Sequence, residues 1–265
     1  MFGMLLRAWR YRYFIFSSIK NEFLSRFARS QLGGLWMVIH PLAQVAIFAF
    51  VLSTVLSQKL PGINNRYAYA LYLTAGMLAW SLFSELVSRS LTVFLKNGNL
   101  IKKMMFPRIC LPLIVSGSAL VNNVLLFVAI LAIFALLGHH PGWHTFWLPV
   151  LVVLNVMLGA GLGLVLGVFN VFIRDVGQVI PIVLQFWFWF TPIVYMPTAI
   201  IDERYKYWLY LNPMTPLVNA YQNILVFGSQ PQWLPLTGTA IFAIVSLIFA
   251  LFFFRKAAPE MVDTL

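Results

Sequence analysis

The chain has 265 residues, 61% of them hydrophobic and only 9% charged, with a formal net charge of +11. That composition excludes an ordinary soluble domain, and a lone cysteine, Cys110, excludes an internal disulfide. The excess of base does not call for nucleic acid. Fourteen Lys/Arg fall on one side of the expected membrane and only Lys59, Arg66, Arg204 and Lys206 on the other, the positive-inside bias with both termini in the cytoplasm.

No Asp, Glu, Lys or Arg occurs in 109–173, 176–201 or 207–254. At roughly 20 apolar residues per crossing there is room for about six spans. The expected fold is an all-α integral membrane protein. It has an N-terminal interfacial amphipathic helix in 1–32, one six-span domain in 33–256 and a cytoplasmic tail in 257–265. The N-terminus is too basic and aromatic for a cleavable signal.

In 1–32, Phe16, Ile19, Phe23 and Phe27 follow helical spacing, with Lys20, Glu22, Arg26 and Arg29 on other faces. Glu22 and Arg26 stand four apart in the order that supports a helix. Such a helix lies in the headgroup plane, either as a plain anchor or as a gate. The first span is expected at 35–56, bent at His40-Pro41, where the histidine meets the carbonyl that proline frees. The second, at 67–91, carries Glu85 and Arg89 on one face near its cytoplasmic end, an expected structural ion pair.

The stretch LKNGNLIKKMMFPRICLP (95–112) is the densest in charge and turn residues. Asn97-Gly98-Asn99 is a turn signal. Leu100, Ile101, Met104 and Met105 then recur at helical spacing, and Phe106-Pro107 ends the run. One short amphipathic helix is expected, on an ordinary basic loop or on a docking surface for a cytoplasmic partner.

The third and fourth spans, at 111–137 and 146–172, are joined by GHHPGWH. His139, His140 and His144 have no cysteine or carboxylate beside them to complete a metal shell. Gly159, Gly163 and Gly167 recur every four residues, with Gly161 between them, a pattern for close helix approach within or between chains. Arg174-Asp175 forms a short cytoplasmic turn ahead of the fifth span, 179–195. There Phe186-Trp187-Phe188-Trp189-Phe190 encircles the helix, so some rings face protein or a pore rather than the lipid interface. Residues 197–233 are too apolar for a free loop and too broken by Pro197, Pro213, Pro216 and Pro231 for a span. They read as a re-entrant external hairpin, since irregular backbone at membrane depth must be sheltered. The last span is expected at 236–254.

No phosphate loop, HExxH or GxSxG occurs, and the seven carboxylates are scattered. No catalytic, metal or cofactor residue is therefore assigned. A proton- or sodium-coupled transporter would be expected to carry midplane ionisable groups, and none is evident.

Several stretches together carry a resemblance: LGGLW (32–36), NLIKKMMFPRICLP (99–112), RD (174–175), TPIVY (191–195) and NPMTPLVNAYQNIL (212–225). In this order the chain resembles the permease subunits of bacterial ABC exporters for O-antigen and teichoic-acid polysaccharides. Gln222 departs from the arginine expected in many relatives, so no charge role carries over to it.

The resemblance implies a homodimer in the bacterial inner membrane, two cytoplasmic ABC ATPase subunits holding ATP and Mg, and a lipid-linked polysaccharide as cargo. It makes Asn99, Leu100, Ile101, Lys102, Lys103, Met104, Phe106, Pro107 and Arg108 the ATPase-coupling element. Phe23, Arg26, Phe27 and Arg29 become an interfacial gate helix. Tyr207, Trp208, Asn212, Pro213, Pro216, Asn219 and Tyr221 become the external gate. Aromatic rings suit sugar C–H faces, so Trp36, Phe48, Tyr72, Trp80, Trp187 and Trp189 are pore candidates. Alternatives are a teichoic-acid, drug or small-lipid exporter of the same fold, or a membrane-embedded enzyme acting on lipid-linked sugars.

Overall fold

The computed structural model describes residues 8–27, 35–36, 39–40, 42–43, 46–47, 68–103, 106–196 and 209–264. All regular structure among them is helical. In chain order the elements are α1 (Arg12–Phe27), α2 (Ala68–Lys96), α3 (Gly98–Lys103) and α4 (Cys110–Leu136). A 3-10 turn, Trp143–Trp147, leads into α5 (Leu148–Phe172), followed by α6 (Val176–Phe190), α7 (Met214–Leu225), α8 (Trp233–Ala257) and α9 (Met261–Thr264).

Four helices, α2, α4, α5 with its 3-10 turn, and α8, are long and apolar enough to cross a membrane. They answer to the expected second, third, fourth and last spans. The expected fifth span stops early. Thr191 is already extended at φ −97° and ψ 133°, as a residue ahead of proline prefers. The 15 residues of α6 rise about 22 Å, short of the roughly 30 Å hydrocarbon core. Most of the expected first span, with Phe48, lies outside the described residues. So does the first half of the expected hairpin, with Tyr207 and Trp208. The second half of that segment contains α7, most of it buried.

Helix α5 is the centre of the bundle, and its glycines explain how. A Cβ on Gly159 would stand 2.9 Å from the Leu86 Cβ, and one on Gly163 2.7 Å from the Ser90 Cβ. On Gly167 it would collide with the Ser90 carbonyl. Gly161 points the other way, and a Cβ there would lie 2.8 Å from the Ser246 Oγ on α8. The glycine spacing thus serves packing within one chain, on two faces of one helix.

Buried amides lock the same crossings. Asn155 and Asn170 of α5 donate to the Ala79 and Leu91 carbonyls of α2, each at 2.8 Å, and Asn123 of α4 donates to Leu78 at 3.0 Å. A helical carbonyl keeps a second lone pair for such a donor, and inside a membrane each bond contributes about 0.6–2 kcal/mol.

The two ends differ. At one end lie the described basic residues Lys96, Lys102, Arg108, Arg174, Arg255 and Lys256. Phe94 stacks on Phe254 there, with centroids 5.5 Å apart. Arg108 donates through Nη1 to the Ala258 carbonyl. Ala257 and Met261, in the segment expected as a tail, are buried in one cluster with Phe94, Ile101 and Ile109. At the opposite end Trp147 meets Trp233 edge-on at 4.7 Å, and Tyr69 donates its hydroxyl proton to the Val194 carbonyl. His139 Nε2 lies 2.7 Å from the Leu225 carbonyl oxygen, so this histidine is engaged in packing α7. Among the described residues no group of three or more His, Cys, Asp or Glu is placed to hold a metal.

Helix α1 lies along the first turns of α4. The Phe14 ring stands 5.6 Å from that of Phe106, and Ile19 fills the space left by Gly117. Phe16, which the spacing grouped with Ile19 and Phe23, is instead 69% exposed. Ile19 and Phe23 turn inward together with Glu22.

Candidate functional site

Between α2, α4, α6 and the described positions of 35–47 lies a cleft of about 720 Å³. Helix α2 contributes Ser81, Ser84, Glu85 and Ser88, α4 contributes Asn122 and Asn123, and α6 contributes Gln185. Steps of three and four residues place the α2 set on one helical stripe. Trp36, Trp80, Phe188 and Trp189 add the aromatic wall. Trp80 and Phe188 pack edge to face at 5.6 Å, which fixes their rings. Trp36 and Trp189 are each 52% exposed. The lining is mostly apolar, with hydroxyls, amides and indole N–H groups set into it and Glu85 as its one described carboxylate, a mixture that suits the C–H faces and hydroxyls of a sugar more than an ion.

Its one charged cluster is internally paired. Arg89 donates through Nη1 to Glu85 Oε1 at 2.9 Å and through Nη2 to Glu22 of α1. Ser118 donates to Glu22 Oε2 at 2.8 Å, and Asn122 donates to Glu85 Oε1 at 2.6 Å. The expected pair of Glu85 with Arg89 is present. Glu22 joins it across the bundle, a link that the Glu22–Arg26 spacing did not indicate. The side chains of Arg26 and Phe27, and all of Arg29, lie outside the described residues.

The pore candidates separate. Trp36, Trp80 and Trp189 share the cleft. Trp187 faces the other side of α6, its ring 5.1 Å from Phe83 and its Nε1 donating to Asn212 Oδ1 at 2.8 Å. There it borders a wholly apolar cavity of about 460 Å³ between α5, α6 and α8. Tyr72 sits at the end opposite the basic one, 3% exposed, with its hydroxyl 3.3 Å from the Pro192 and Tyr195 carbonyl oxygens.

The gate candidates on α7 divide in the same way. Asn212 is a hub: its Oδ1 accepts from Trp187 and from the Met214 N–H at 3.0 Å, and its Nδ2 donates to Thr191 Oγ1 at 2.9 Å. Pro216 and Tyr221 are buried, with the Tyr221 phenol against the Asn155 side chain. Asn219 is half-buried beside Gln222, whose Nε2 donates to the Pro192 carbonyl at 3.2 Å. Gly76 makes room for that amide, since a Cβ there would stand 2.9 Å from Gln222 Nε2.

In the coupling candidates, Asn97 stops α2 and starts α3. Its Nδ2 caps the Val93 carbonyl at 2.8 Å, and its own carbonyl accepts from Leu100 and Ile101 at 3.0 and 2.9 Å. Ile101 anchors α3 at 7% exposure, Leu100 is half-buried, and Asn99 and Lys102 face out. Phe106, Pro107 and Arg108 are half-buried. Met104 and the Lys103 side chain lie outside the described residues.

A helical bundle with a cleft of mixed lining and a short basic connector has a counterpart among known proteins. Residues 13–226 match the model of the ABC-2 type transporter family. The chain belongs to that family. It is 27% identical over 266 residues, covering 100% of both chains, to the O-antigen export system permease protein RfbA of Myxococcus xanthus. It is 25% identical over 207 residues to the O-antigen export system permease protein RfbA of Klebsiella pneumoniae, covering 77% of this chain and 76% of that one. It is 24% identical over 249 residues to the polysialic acid transport protein KpsM of Escherichia coli, covering 92% and 93%.

For an ABC-2 type transporter the expected aromatics are only part of the cleft. Sequence reading missed Ser81, Ser84, Ser88, Asn122 and Gln185. A signal for the first three was present, because serines at 81, 84 and 88 flank Glu85 on one face of an otherwise apolar span. Nothing in the sequence indicated that Asn122 and Gln185, on other helices, would join them.

Proposed function

We propose that this chain is the membrane subunit of an ATP-driven exporter that carries a lipid-linked, O-antigen-like polysaccharide out of the cytoplasm. Two copies form the pathway, and two ABC ATPase subunits, binding ATP and Mg, dock at the basic end, which faces the cytoplasm of the inner membrane. The observation that carries the reading is the cleft itself, which lines a passage with rings, hydroxyls and amides in a chain whose relatives are named for O-antigen and polysialic acid export. A neutral glycan slides over such a surface, since each contact is weak enough to release and the next is close by.

The half-open cleft also supports the dimer. Ser88 and Gln185, both exposed in the cleft, would leave polar groups unsatisfied against lipid, and a second copy facing the cleft removes that cost. The six-span topology, with its first span at 35–56 and the hairpin that includes α7, belongs to this reading. So does entry of the lipid anchor past α1, where Arg10, Arg12 and Lys20 can meet a pyrophosphate.

The test is co-purification of the tagged chain with candidate ABC ATPases, measuring ATP turnover in lipid. A stable complex whose turnover depends on the permease supports the exporter. A folded, dimeric chain that recruits no ATPase, and that by itself transforms lipid-linked sugars, would establish the membrane-enzyme alternative instead.

A further inference from the structure

The segment after α8 is expected as a tail, yet it is built into the basic end of the bundle. Pro259 has no N–H to continue the helical ladder, so α8 stops and the chain turns into α9. Ala257 and Met261, on either side of that turn, are 8% and 0% exposed. Arg255, Lys256, Pro259 and Glu260 face out. A methionine beyond the last span is buried only if something packs over it. Met261 shares one cluster with Phe94 of α2, Ile101 of α3, Ile109 and Val171 of α5, and α9 packs on both α3 and α5.

The connector between α2 and α4 leans on that segment. A helix of six residues, such as α3, does not hold itself in water, so its position depends on its neighbours. Asn97 ties the entry of the connector to α2, donating to the Val93 carbonyl at 2.8 Å. Phe106 rests on Phe14 of α1. Ile101 ties the middle to the cluster around Met261. Arg108 ties the exit to α8, donating through Nη1 to the carbonyl of Ala258, the C-cap of that helix. The last carbonyls of a helix have no partner within it and carry partial negative charge, so a guanidinium is well placed there. The ties at the middle and the exit both reach the end of α8 and the segment beyond it.

We propose that this segment braces the connector. Met261 packs against α3 and the Ala258 carbonyl holds Arg108, so a push on α3 passes to α8 and α5 instead of bending the connector. The proposal rests on the exporter reading, in which the outward residues Asn99 and Lys102 meet the ATPase. It adds a positioning residue, Met261, which is too deeply buried to touch that partner itself. Without the brace α3 rocks on its entry, and the stroke is dissipated before it reaches the spans.

The test uses the full-length chain in lipid nanodiscs, alone and with its ABC ATPase, as wild type, Met261→Asn, Met261→Leu and Arg108→Met. Hydrogen exchange is followed in peptides covering 97–103 and the middles of α2, α5 and α8, and ATP turnover is measured on the same samples. The Leu100 and Ile101 amides donate to the Asn97 carbonyl and report on α3. Their exchange is expected to rise about tenfold in Met261→Asn and Arg108→Met, with the middles of the spans unchanged. Permease-dependent turnover falls severalfold in Met261→Asn, while Met261→Leu, which keeps the apolar volume, matches the wild type in both measurements. Arg108→Met is scored by exchange alone, because Arg108 also belongs to the coupling candidates. Unchanged exchange in 97–103 in either variant overturns the brace. So does loosening that spreads through the spans, since Met261 then stabilises the bundle as a whole, and so does a loosened α3 with wild-type turnover. If Met261→Asn yields no folded chain, Met261→Ala is judged by the same criteria. A wild type that recruits no ATPase removes the exporter reading, and exchange in 97–103 then decides alone whether the segment holds the connector.

Discussion

Arg89 of α2 bonds Glu22 of α1, across 67 positions of sequence, and so ties the peripheral helix to the bundle. The same guanidinium holds Glu85, and Ser118 of α4 completes the Glu22 shell. The side chains are only 19–30% exposed, where losing a charge-assisted bond costs more than at a solvated surface.

Removing the arginine leaves two carboxylates facing each other. Arg89→Gln is expected to destabilise the chain by about 1–3 kcal/mol, more than Glu22→Gln, which leaves the Glu85 bond in place. Disulfide trapping in an Ile19→Cys/Gly117→Cys background reports whether α1 has moved. Trapping should drop in Arg89→Gln, and unchanged trapping would show that apolar contacts alone hold α1.

The glycine faces of α5 make a sharp contrast with an open position. Gly167→Ala drives a methyl into the Ser90 carbonyl and is expected to cost about 1–3 kcal/mol through overpacking. Gly238→Ala on α8 meets nothing within 4 Å and should be neutral or stabilise the helix by up to about 1 kcal/mol. Thermal unfolding monitored by size-exclusion fluorescence compares the two.

The exposed side of α3 is separable from its anchor. Lys102→Glu leaves the fold intact, because the side chain faces out, and on the coupling reading it lowers ATPase recruitment or coupled turnover severalfold. Ile101→Glu buries a charge and lowers the yield of folded chain itself. If Lys102→Glu and Asn99→Lys both leave turnover unchanged, the docking face lies elsewhere.

Asn212 connects three segments at the far end of the bundle, reaching Trp187, Thr191 and Met214. Asn212→Ala should cost about 2–3 kcal/mol, since it removes several partly buried bonds at once. Trp187→Phe keeps the ring on Phe83, removes a single bond and should cost less. Hydrogen exchange at the start of α7 distinguishes local loosening from global loss.

Hydropathy and length were enough to find α2, α4, α5 and α8, because burial in lipid writes a long, charge-free signal. The glycine repeat announced a close crossing but not its partner, which Leu86 and Ser90 supply. Periodicity says which residues share a face; it does not say what that face meets. That is why Trp187 and Trp189, two apart on α6, could be grouped by composition and yet lie against different cavities. The surroundings of α7 were hidden for a related reason. Gln222 looks like an ordinary helix amide until Tyr72, from the distant α2, closes over it.

The glycines of α5 carry a mechanical consequence. A crossing made backbone to backbone has no long side chains to re-pack, so it slides poorly and behaves as a rigid joint. With such joints on both α2 and α8, α5 is the stator of the subunit. Among the described residues α6 touches the rest far more sparsely than α2 or α8 touch α5, and α1 packs along α4 and is tied to α2 through Glu22. On the exporter reading, the strokes that open and close a passage are expected at α1 and α6, against the frame of α2, α5 and α8.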